Sequence, residues 1–480
     1  MSAPVSRLAT PQLAADADLL DASRSPAVAR ELPGLATALD AAAMSECLNG
    51  ALFAESAHHL IERCVPGHAT YVPGQGCLVR YDVTVAGGGR TVVNGRIFRS
   101  SSECRRHFRD RLVPLAARAA RRVLPAPVAM RVAAVDGLNL TVSRFPIDAE
   151  LPALIDAADP AKVAPLLRSA LGSRSGTCEV TLGHYGRRNR CVLRYELRGV
   201  ASHSGVIYGK VAADGRGATA EAAIMALRPQ LLRLPDNRRV TIPRSLGFHP
   251  AMELLLLEAV PGTPLLSSLL KSQPAGHRES RAAIERAVEA CGEVAAALHE
   301  SDVMFGPRRS GAQELAALGD AADAVRRITP LVGDRLSSAL VEVDHRLAGS
   351  HPLAPRLCHG DFRQGQILFE GSARALVDFD TLCQAEPPLD LGHFLAYLRL
   401  SAAKGGVEDT ADHLADRFLA AYVAAAGSPA AAETALRARV AVYEAVALIR
   451  LAIHSWQKFK PARLALALTL LEERLSCRTP

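Results

Sequence analysis

Apolar positions along the chain recur with two different spacings, and each spacing predicts its own kind of element. In the second half of the chain, apolar residues return every three or four positions, which is a helical period. We therefore predict helices at 281–299, 312–328, 331–347, 411–426 and 430–456. Shorter apolar runs at 366–369 and 375–377 are separated by a Glu-Gly-Ser turn, so they predict the two strands of a hairpin.

A repeated pattern occupies the first half of the chain. Tyr71, followed after five residues by CLVRYDV, recurs as Tyr185 followed by CVLRYEL, at an offset of 114 residues. The same offset relates VNGR at 93–96 to IYGK at 207–210. Each copy reads as strand, turn, strand, helix and then two more strands. Because repeats at a fixed period indicate repeated structural units, we predict a duplicated small β-rich lobe.

The amino-acid composition is typical of a globular protein and argues against nucleic-acid-binding and membrane-spanning proteins. The 480 residues are 49% hydrophobic and 22% charged, with a net charge of +7, which suits a globular enzyme that handles anionic nucleotides. Aromatic residues make up only 4%, so base stacking on a nucleic acid is not expected. The ten cysteines form no C-x-x-C pair, and no apolar run reaches the roughly 18 residues that cross a bilayer. We predict a cytoplasmic protein without a membrane contact.

The chemical signal is concentrated between residues 357 and 391. His359-Gly360-Asp361 precedes the first hairpin strand, and Asp378-Phe379-Asp380 follows the second strand. A hairpin of this kind brings Asp361, Gln366 and Asp378 close together. Phosphoryl transfer needs metal ligands for the nucleotide phosphates and one carboxylate that orients the attacking hydroxyl. Asp361 suits the hydroxyl, and the oxygens of Gln366 and Asp378 suit Mg²⁺.

This segment resembles the catalytic core of the aminoglycoside phosphotransferase family, which includes choline kinase-like members. His359, Asp361 and the acidic strand end match the family pattern, whereas Gln366 stands where Asn is usual, as in maltokinase-like members. Asp390 resembles the later Asp that supports the catalytic loop. The resemblance implies an α+β, protein-kinase-like fold with a small β-rich lobe, here duplicated with a degenerate first copy, and a mainly helical large lobe. It also implies ATP, with GTP as an alternative, and Mg²⁺ as cofactors.

The same resemblance assigns roles in the second repeat. Lys210 matches the strand lysine that holds the α- and β-phosphates, whereas the first copy has Arg96 there. An arginine does not reproduce a compact ammonium, so the first copy is interpreted as a degenerate structural or regulatory lobe. Glu221, expected in the first turn of a helix at 217–227, either pairs with Lys210 or only complements the helix dipole.

Two further segments of the second repeat are candidates for nucleotide contacts. The loop 183–190 carries two glycines and three arginines, and it either covers the phosphates or is a solvated basic hairpin tip. Glu258 and Val260 are interpreted as the hinge between lobes, where the resemblance implies backbone bonds to the adenine edge. The predicted domains are a helical leader at 1–60 with one or two helices, a degenerate repeat at 61–170, a catalytic small lobe at 171–262 and a large lobe at 263–480.

The function predicted from the sequence is transfer of a γ-phosphoryl group to a hydroxyl of a small polar molecule, such as a sugar, an aminoglycoside or an amino alcohol. His359 is expected to support the catalytic loop, and Arg363 to reach the transferring phosphate. Two alternatives stay open. One is a kinase for a protein or peptide partner, docked through the extra repeat, and the other is an ATP-binding pseudokinase.

Overall fold

The computed structural model describes residues 20–52, 60–120, 132–173, 175–187, 189–199, 206–271, 278–405, 408–427 and 430–476. Its strands are β1 Ile61–Val72, β2 Gly76–Val85, β3 Gly89–Ile97, β4 Val132–Val135, β5 Leu140–Arg144, β6 Thr177–Arg187, β7 Arg190–Arg198, β8 Val206–Ala212, β9 Val240–Thr241, β10 Ser245–His249, β11 Leu254–Glu258, β12 Arg356–Cys358, β13 Ile367–Glu370, β14 Ala373–Leu376 and β15 Cys383–Ala385. Its α-helices are α1 Pro26–Glu31, α2 Leu35–Leu39, α3 Ala41–Leu52, α4 Ser101–His107, α5 Val113–Ala120, α6 Leu154–Ala157, α7 Pro160–Ala170, α8 Arg216–Leu232, α9 Leu265–Lys271, α10 Arg278–His299, α11 Gly311–Ile328, α12 Pro330–Ala348, α13 Pro388–Gly405, α14 Ala411–Ala426, α15 Ala430–Gln457 and α16 Pro461–Ser476.

The helices predicted from apolar spacing are confirmed, with shifts of a few residues at their ends. Helix α14 has both predicted ends, and α11 begins one residue early behind a capping box made by Ser310 and Gln313. The predicted number of N-terminal helices, one or two, was wrong. Three short helices, α1 to α3, lie within 26–52, because Pro33 and Gly34 interrupt the apolar pattern between α1 and α2. Residues 1–19 of the predicted leader lie outside the described residues.

The chain forms two compact units that do not coincide with simple halves of the sequence. The first unit contains the chain up to Gly217, Leu246–Leu257 and His454–Ala462. The second unit contains Ala218–Ser245, Glu258–Ile453 and the chain from Arg463 onward. Both sequence repeats therefore belong mainly to the first unit, and the predicted catalytic segment belongs to the second.

The first unit contains two five-stranded sheets with the same topology. Their strand orders are β1-β2-β3-β5-β4 and β6-β7-β8-β11-β10, and in both a helix follows the third strand. Each repeat thus has three strands before its helix, one more than the sequence pattern predicted. The last hairpin of each sheet also contains a left-handed residue at the same offset, Asn139 with φ 49° and Glu253 with φ 48°. The 114-residue repeat is therefore a repeat of backbone geometry.

One glycine in each sheet shows that the packing is repeated as well. A Cβ on Gly95 would lie 2.9 Å from the ring of Tyr81, and a Cβ on Gly209 would lie 2.3 Å from the ring of Tyr195. Each of these buried tyrosines donates its hydroxyl to a carbonyl of a preceding short helical segment, at 2.9 Å for Tyr81 and 2.8 Å for Tyr195. Because glycine has no side chain, the tyrosine ring can approach the strand closely at this position. The same glycine–tyrosine contact is therefore present in both copies of the repeat.

The two repeats are joined through Tyr185. Arg80 of the first repeat stacks 3.8 Å above the Tyr185 ring, and Asn94 donates a hydrogen bond to the Tyr185 hydroxyl at 2.9 Å. That hydroxyl also donates to the buried carboxylate of Asp148. Burial raises the pKa of Asp148, against the opposing effects of Tyr185 and Arg80.

The second unit is mainly helical and holds two small sheets. The sheet β13-β14-β9 contains the predicted hairpin, which turns at Gly371 with φ +58°, and β12 pairs with β15. Phe394 of α13 stacks on Phe418 of α14 at a centroid distance of 4.2 Å, and it also packs against Phe362 of the loop that follows β12, at 5.8 Å. Over the described ranges, no helix combines the length and the apolar character that crossing a membrane requires.

Candidate active site

A buried carboxylate, that of Asp390, anchors the loop after β12. Asp390 accepts hydrogen bonds from the backbone N–H groups of His359 at 2.5 Å and Gly360 at 2.8 Å. Its Oδ2 also lies 3.2 Å from His299 Nε2. Although burial opposes ionisation, these partners hold the pKa of Asp390 below its usual value. The carboxylate therefore orients the loop that carries Asp361.

His359 and Gly360 fit this loop for steric reasons. Gly360 has φ +76°, and a Cβ there would lie 2.2 Å from the carbonyl oxygen of Thr381. The His359 ring is fully buried, and its Nε2 lies 3.0 Å from the carbonyl oxygen of Val377. His359 thus links the loop to the end of the hairpin, and its ring packs edge-on to Phe362.

Asp361, Gln366 and Asp378 form one hydrogen-bonded cluster. The amide Nε2 of Gln366 lies 3.0 Å from Asp378 Oδ2 and 3.4 Å from Asp361 Oδ2. The hairpin produces this arrangement, because the N–H of Val377 donates to the Gln366 carbonyl and places the two strand ends side by side. Asp378 has φ +74° and ψ +61°, a left-handed conformation that costs energy in a residue other than glycine.

The donor set of this cluster fits a hard divalent cation. The side-chain amide of Gln366 bridges two carboxylates, and rotating that amide by a half turn would direct its oxygen instead of its nitrogen toward the same point. Carboxylate and amide oxygens are the ligands that Mg²⁺ accepts. The longer side chain of Gln366, compared with Asn, still reaches both acids.

Two groups contact the other oxygen of Asp361, one from the same loop and one from helix α13. Arg363 Nε lies 3.3 Å from Asp361 Oδ1, and His393 Nε2 lies 3.2 Å from the same atom. The sequence interpretation named Arg363 but missed His393. A signal was present, because His393 follows Asp390 by one helical turn and must share its face of α13.

The residues of the second repeat that were predicted to contact the nucleotide are divided between the two units. Lys210 lies half-buried in β8 of the first unit, at the register position opposite Val192. The segment predicted as a loop at 183–190 is the end of the β6–β7 hairpin, because β6 continues to Arg187 and pairs there with Arg190, and Arg188 lies outside the described residues. Whether it covers the nucleotide phosphates stays a prediction.

The remaining candidates belong to the second unit. Glu221 does not lie in the first helical turn as predicted, because α8 begins at Arg216, directly after the turn at Gly215. Its carboxylate accepts a hydrogen bond from the Ser245 hydroxyl at 3.0 Å. Glu258 ends β11 and pairs with Arg244 at 3.1 Å, and Val260 follows it outside any strand. The pairing of Lys210 with Glu221 and the adenine contacts stay predictions.

Comparison with known proteins assigns the second half of the chain to a known protein family. A family model described as the phosphotransferase enzyme family (APH) matches residues 213–468, just over half of the sequence. This range includes the Asp361 cluster and Asp390. A search among curated proteins gives no match.

Solved structures give distant similarity. APH(2″)-IIia, in its complex with GDP and kanamycin, is 16% identical, with 65% of this chain and 97% of that chain covered and a TM-score of 0.43. A choline/ethanolamine kinase family protein from Mesorhizobium loti is 20% identical, with 66% and 97% covered and a TM-score of 0.44. An ethanolamine kinase from Plasmodium vivax is 13% identical, with 62% and 84% covered and a TM-score of 0.44.

Proposed function

This chain belongs to the phosphotransferase enzyme family, and from that premise we propose that it transfers the γ-phosphoryl group of a nucleoside triphosphate to a hydroxyl of a small polar molecule. The supporting observation is the cluster in which Gln366 bridges Asp361 and Asp378. Family membership supports the reaction class, and the cluster supplies the acidic and amide groups that this reaction needs. ATP is the proposed donor, with GTP as the alternative.

In the proposed reaction, Asp361 orients the acceptor hydroxyl and receives its proton. A bond forms between the acceptor oxygen and the γ-phosphorus, the bond from that phosphorus to the β-phosphate oxygen breaks, and the nucleoside diphosphate leaves. Gln366 and Asp378 would hold Mg²⁺, which supplies charge neutralisation on the phosphate oxygens when it is bound. Arg363 is proposed to balance charge on the transferring group, and its position 3.3 Å from Asp361 supports this role.

The remaining residues are proposed to bind the nucleotide. Lys210 is proposed to hold the α- and β-phosphates with Glu221 as its partner, and the backbone at Glu258 and Val260 to bond the base. Lys210 carries a fixed charge on a flexible stem, which suits a phosphate ligand. No contact within the described residues favours a peptide acceptor, so a protein kinase activity is not proposed.

The test is a transfer screen with ATP and GTP across sugars, amino alcohols and aminoglycosides, measuring the phosphorylated product. Asp361→Asn should abolish turnover and keep the fold, because Asn retains the shape and loses the basic oxygen. Asp344→Asn, an exposed residue on α12, is the matched control and should behave as the parent protein. Nucleotide binding without product on any acceptor would indicate a pseudokinase and overturn the proposal.

A further inference from the structure

Beside the proposed hydroxyl site lies an aromatic ring flanked by two guanidinium groups. The guanidinium carbons of Arg363 and Arg463 lie 5.7 Å and 5.9 Å from the centroid of the Tyr397 ring. The same ring packs against His393, with centroids 4.9 Å apart, and His393 contacts Asp361. These residues, which we call the Tyr397 cluster, all belong to the second unit.

Some inward-facing arginines of this unit are paired with carboxylates, and within the described ranges Arg463 is not. Arg399 pairs with Glu444 at 2.5 Å, and Arg439 pairs with Glu386 at 2.6 Å. Arg463, by contrast, has no carboxylate at ion-pair distance in the part of the chain that the structure describes. Its Nε is buried and has no hydrogen-bond partner among those residues.

A half-buried guanidinium without a counter-charge is unfavourable, because burial removes water that nothing replaces. The planar fork of an arginine matches the two oxygens of a carboxylate or the oxygens of a phosphate. Arg363 is partly engaged by Asp361, so Arg463 is the freer of the two cations. Tyr397 and His393 connect Arg463 to Asp361, because Tyr397 contacts Arg463 and packs on His393, and His393 contacts Asp361. A small molecule whose hydroxyl meets Asp361 could therefore bring an anionic group to Arg463.

We propose that the acceptor carries an anionic group, a carboxylate or a phosphate ester, which Arg463 binds while Asp361 orients the hydroxyl. This inference rests on the proposed phosphotransferase function and narrows its substrate class. A polycationic aminoglycoside or a quaternary amino alcohol would bring like charge to the two arginines, which disfavours binding. Arg463 is thus a specificity-determining residue, and it is distinct from the groups that act on the transferring phosphate.

The experiment compares acceptors that share a hydroxyl-bearing ring and differ in charge. Glucose, glucuronate, glucose 6-phosphate and glucosamine form such a series, and kanamycin and choline extend it to stronger cations. We expect the highest kcat/KM for an anionic member. Best turnover with a neutral or cationic compound would overturn the inference and leave the proposed function intact.

Variants of Arg463 distinguish an effect on acceptor binding from an effect on nucleotide binding. Arg463→Ala should raise the KM for the anionic acceptor by about 10- to 100-fold, the range for losing a charged hydrogen bond, with the nucleotide KM unchanged. Arg463→Lys should restore part of the loss. Arg281→Ala, which removes one exposed charge from α10, is the matched control and should change neither constant. A rise in the nucleotide KM alone would assign Arg463 to the phosphates and contradict the inference.

A binding measurement keeps the inference testable if no acceptor is turned over. Calorimetry with glucuronate and glucose 6-phosphate should show binding to the parent protein and weaker binding to Arg463→Ala, at similar unfolding temperatures of the two proteins. Equal binding to both proteins, or binding to neither, would overturn the anionic site independently of the reaction.

Discussion

His393 Nε2 lies 3.2 Å from Asp361 Oδ1, inside the protein and on the helix that also carries Asp390. A carboxylate only accepts hydrogen bonds, so Nε2 must carry the proton that faces it. Nδ1 of this ring is buried and has no hydrogen-bond partner among the described residues. Burial lowers the pKa of His393, against the opposing effect of Asp361, so the ring is a neutral donor. We interpret His393 as a positioning residue for Asp361.

Removing this donor should change both the rate and its pH dependence. His393→Ala should lower kcat by about 10- to 100-fold, the equivalent of a hydrogen bond to a charged group. The acidic limb of the pH–rate profile should move to higher pH, because a donor favours the ionised carboxylate. His393→Gln, which keeps an N–H at similar reach, should restore part of both effects. A uniform loss of rate with an unchanged profile would indicate a structural role only.

The hydrogen bonds that Asp390 accepts from the loop after β12 predict a loss of stability when they are removed. Asp390→Asn keeps the shape but replaces one accepting oxygen by a donor, so one of the two loop N–H groups loses its partner. We expect the free energy of unfolding to fall by about 1–3 kcal/mol, measured by urea denaturation. Asp344→Asn should leave it unchanged. An unaltered stability of Asp390→Asn would contradict the assignment.

The repeated glycine–tyrosine contacts predict parallel costs in the two sheets. Alanine at Gly95 or Gly209 would overlap the ring of Tyr81 or Tyr195, and the contact is closer at Gly209. Each change should lower the free energy of unfolding by about 1–3 kcal/mol, with the larger loss at Gly209. Gly50→Ala in α3, where no atom lies within 4 Å of the new Cβ, is the control and should be neutral or stabilising.

His107 predicts a pH dependence of stability. Burial lowers the pKa of His107 to about 4, and the positive charge of Arg96 contributes. Between pH 6.5 and 4 the unfolded state therefore binds more protons at this position than the folded state. The unfolding temperature should fall as the pH decreases through this window, and His107→Gln should flatten the decrease. His351→Gln, at an exposed position, should retain the parent's slope.

The helices and the catalytic hairpin could be predicted because their signals are local. Apolar spacing predicts α10 to α12, a capping box marks the start of α11, and Gly371 allows the hairpin turn, so distant residues were not needed. The predictions were wrong where contacts with distant residues determine the extent of an element. Nothing local shows that 183–187 continues as a strand, since Tyr185 is held there by Arg80 and Asp148 of the other repeat.

The sequence by itself determined the reaction class and the duplication, because the residue types of the catalytic segment and the 114-residue offset are visible without coordinates. Only the tertiary structure decided which side chains surround Asp361. His393 and Tyr397 lie on α13 and Arg463 lies on α16, more than sixty positions later in the chain than either, and each is an ordinary helix residue in the sequence. Their convergence depends on how α13 and α16 pack, because long-range packing places side chains that local patterns leave undetermined.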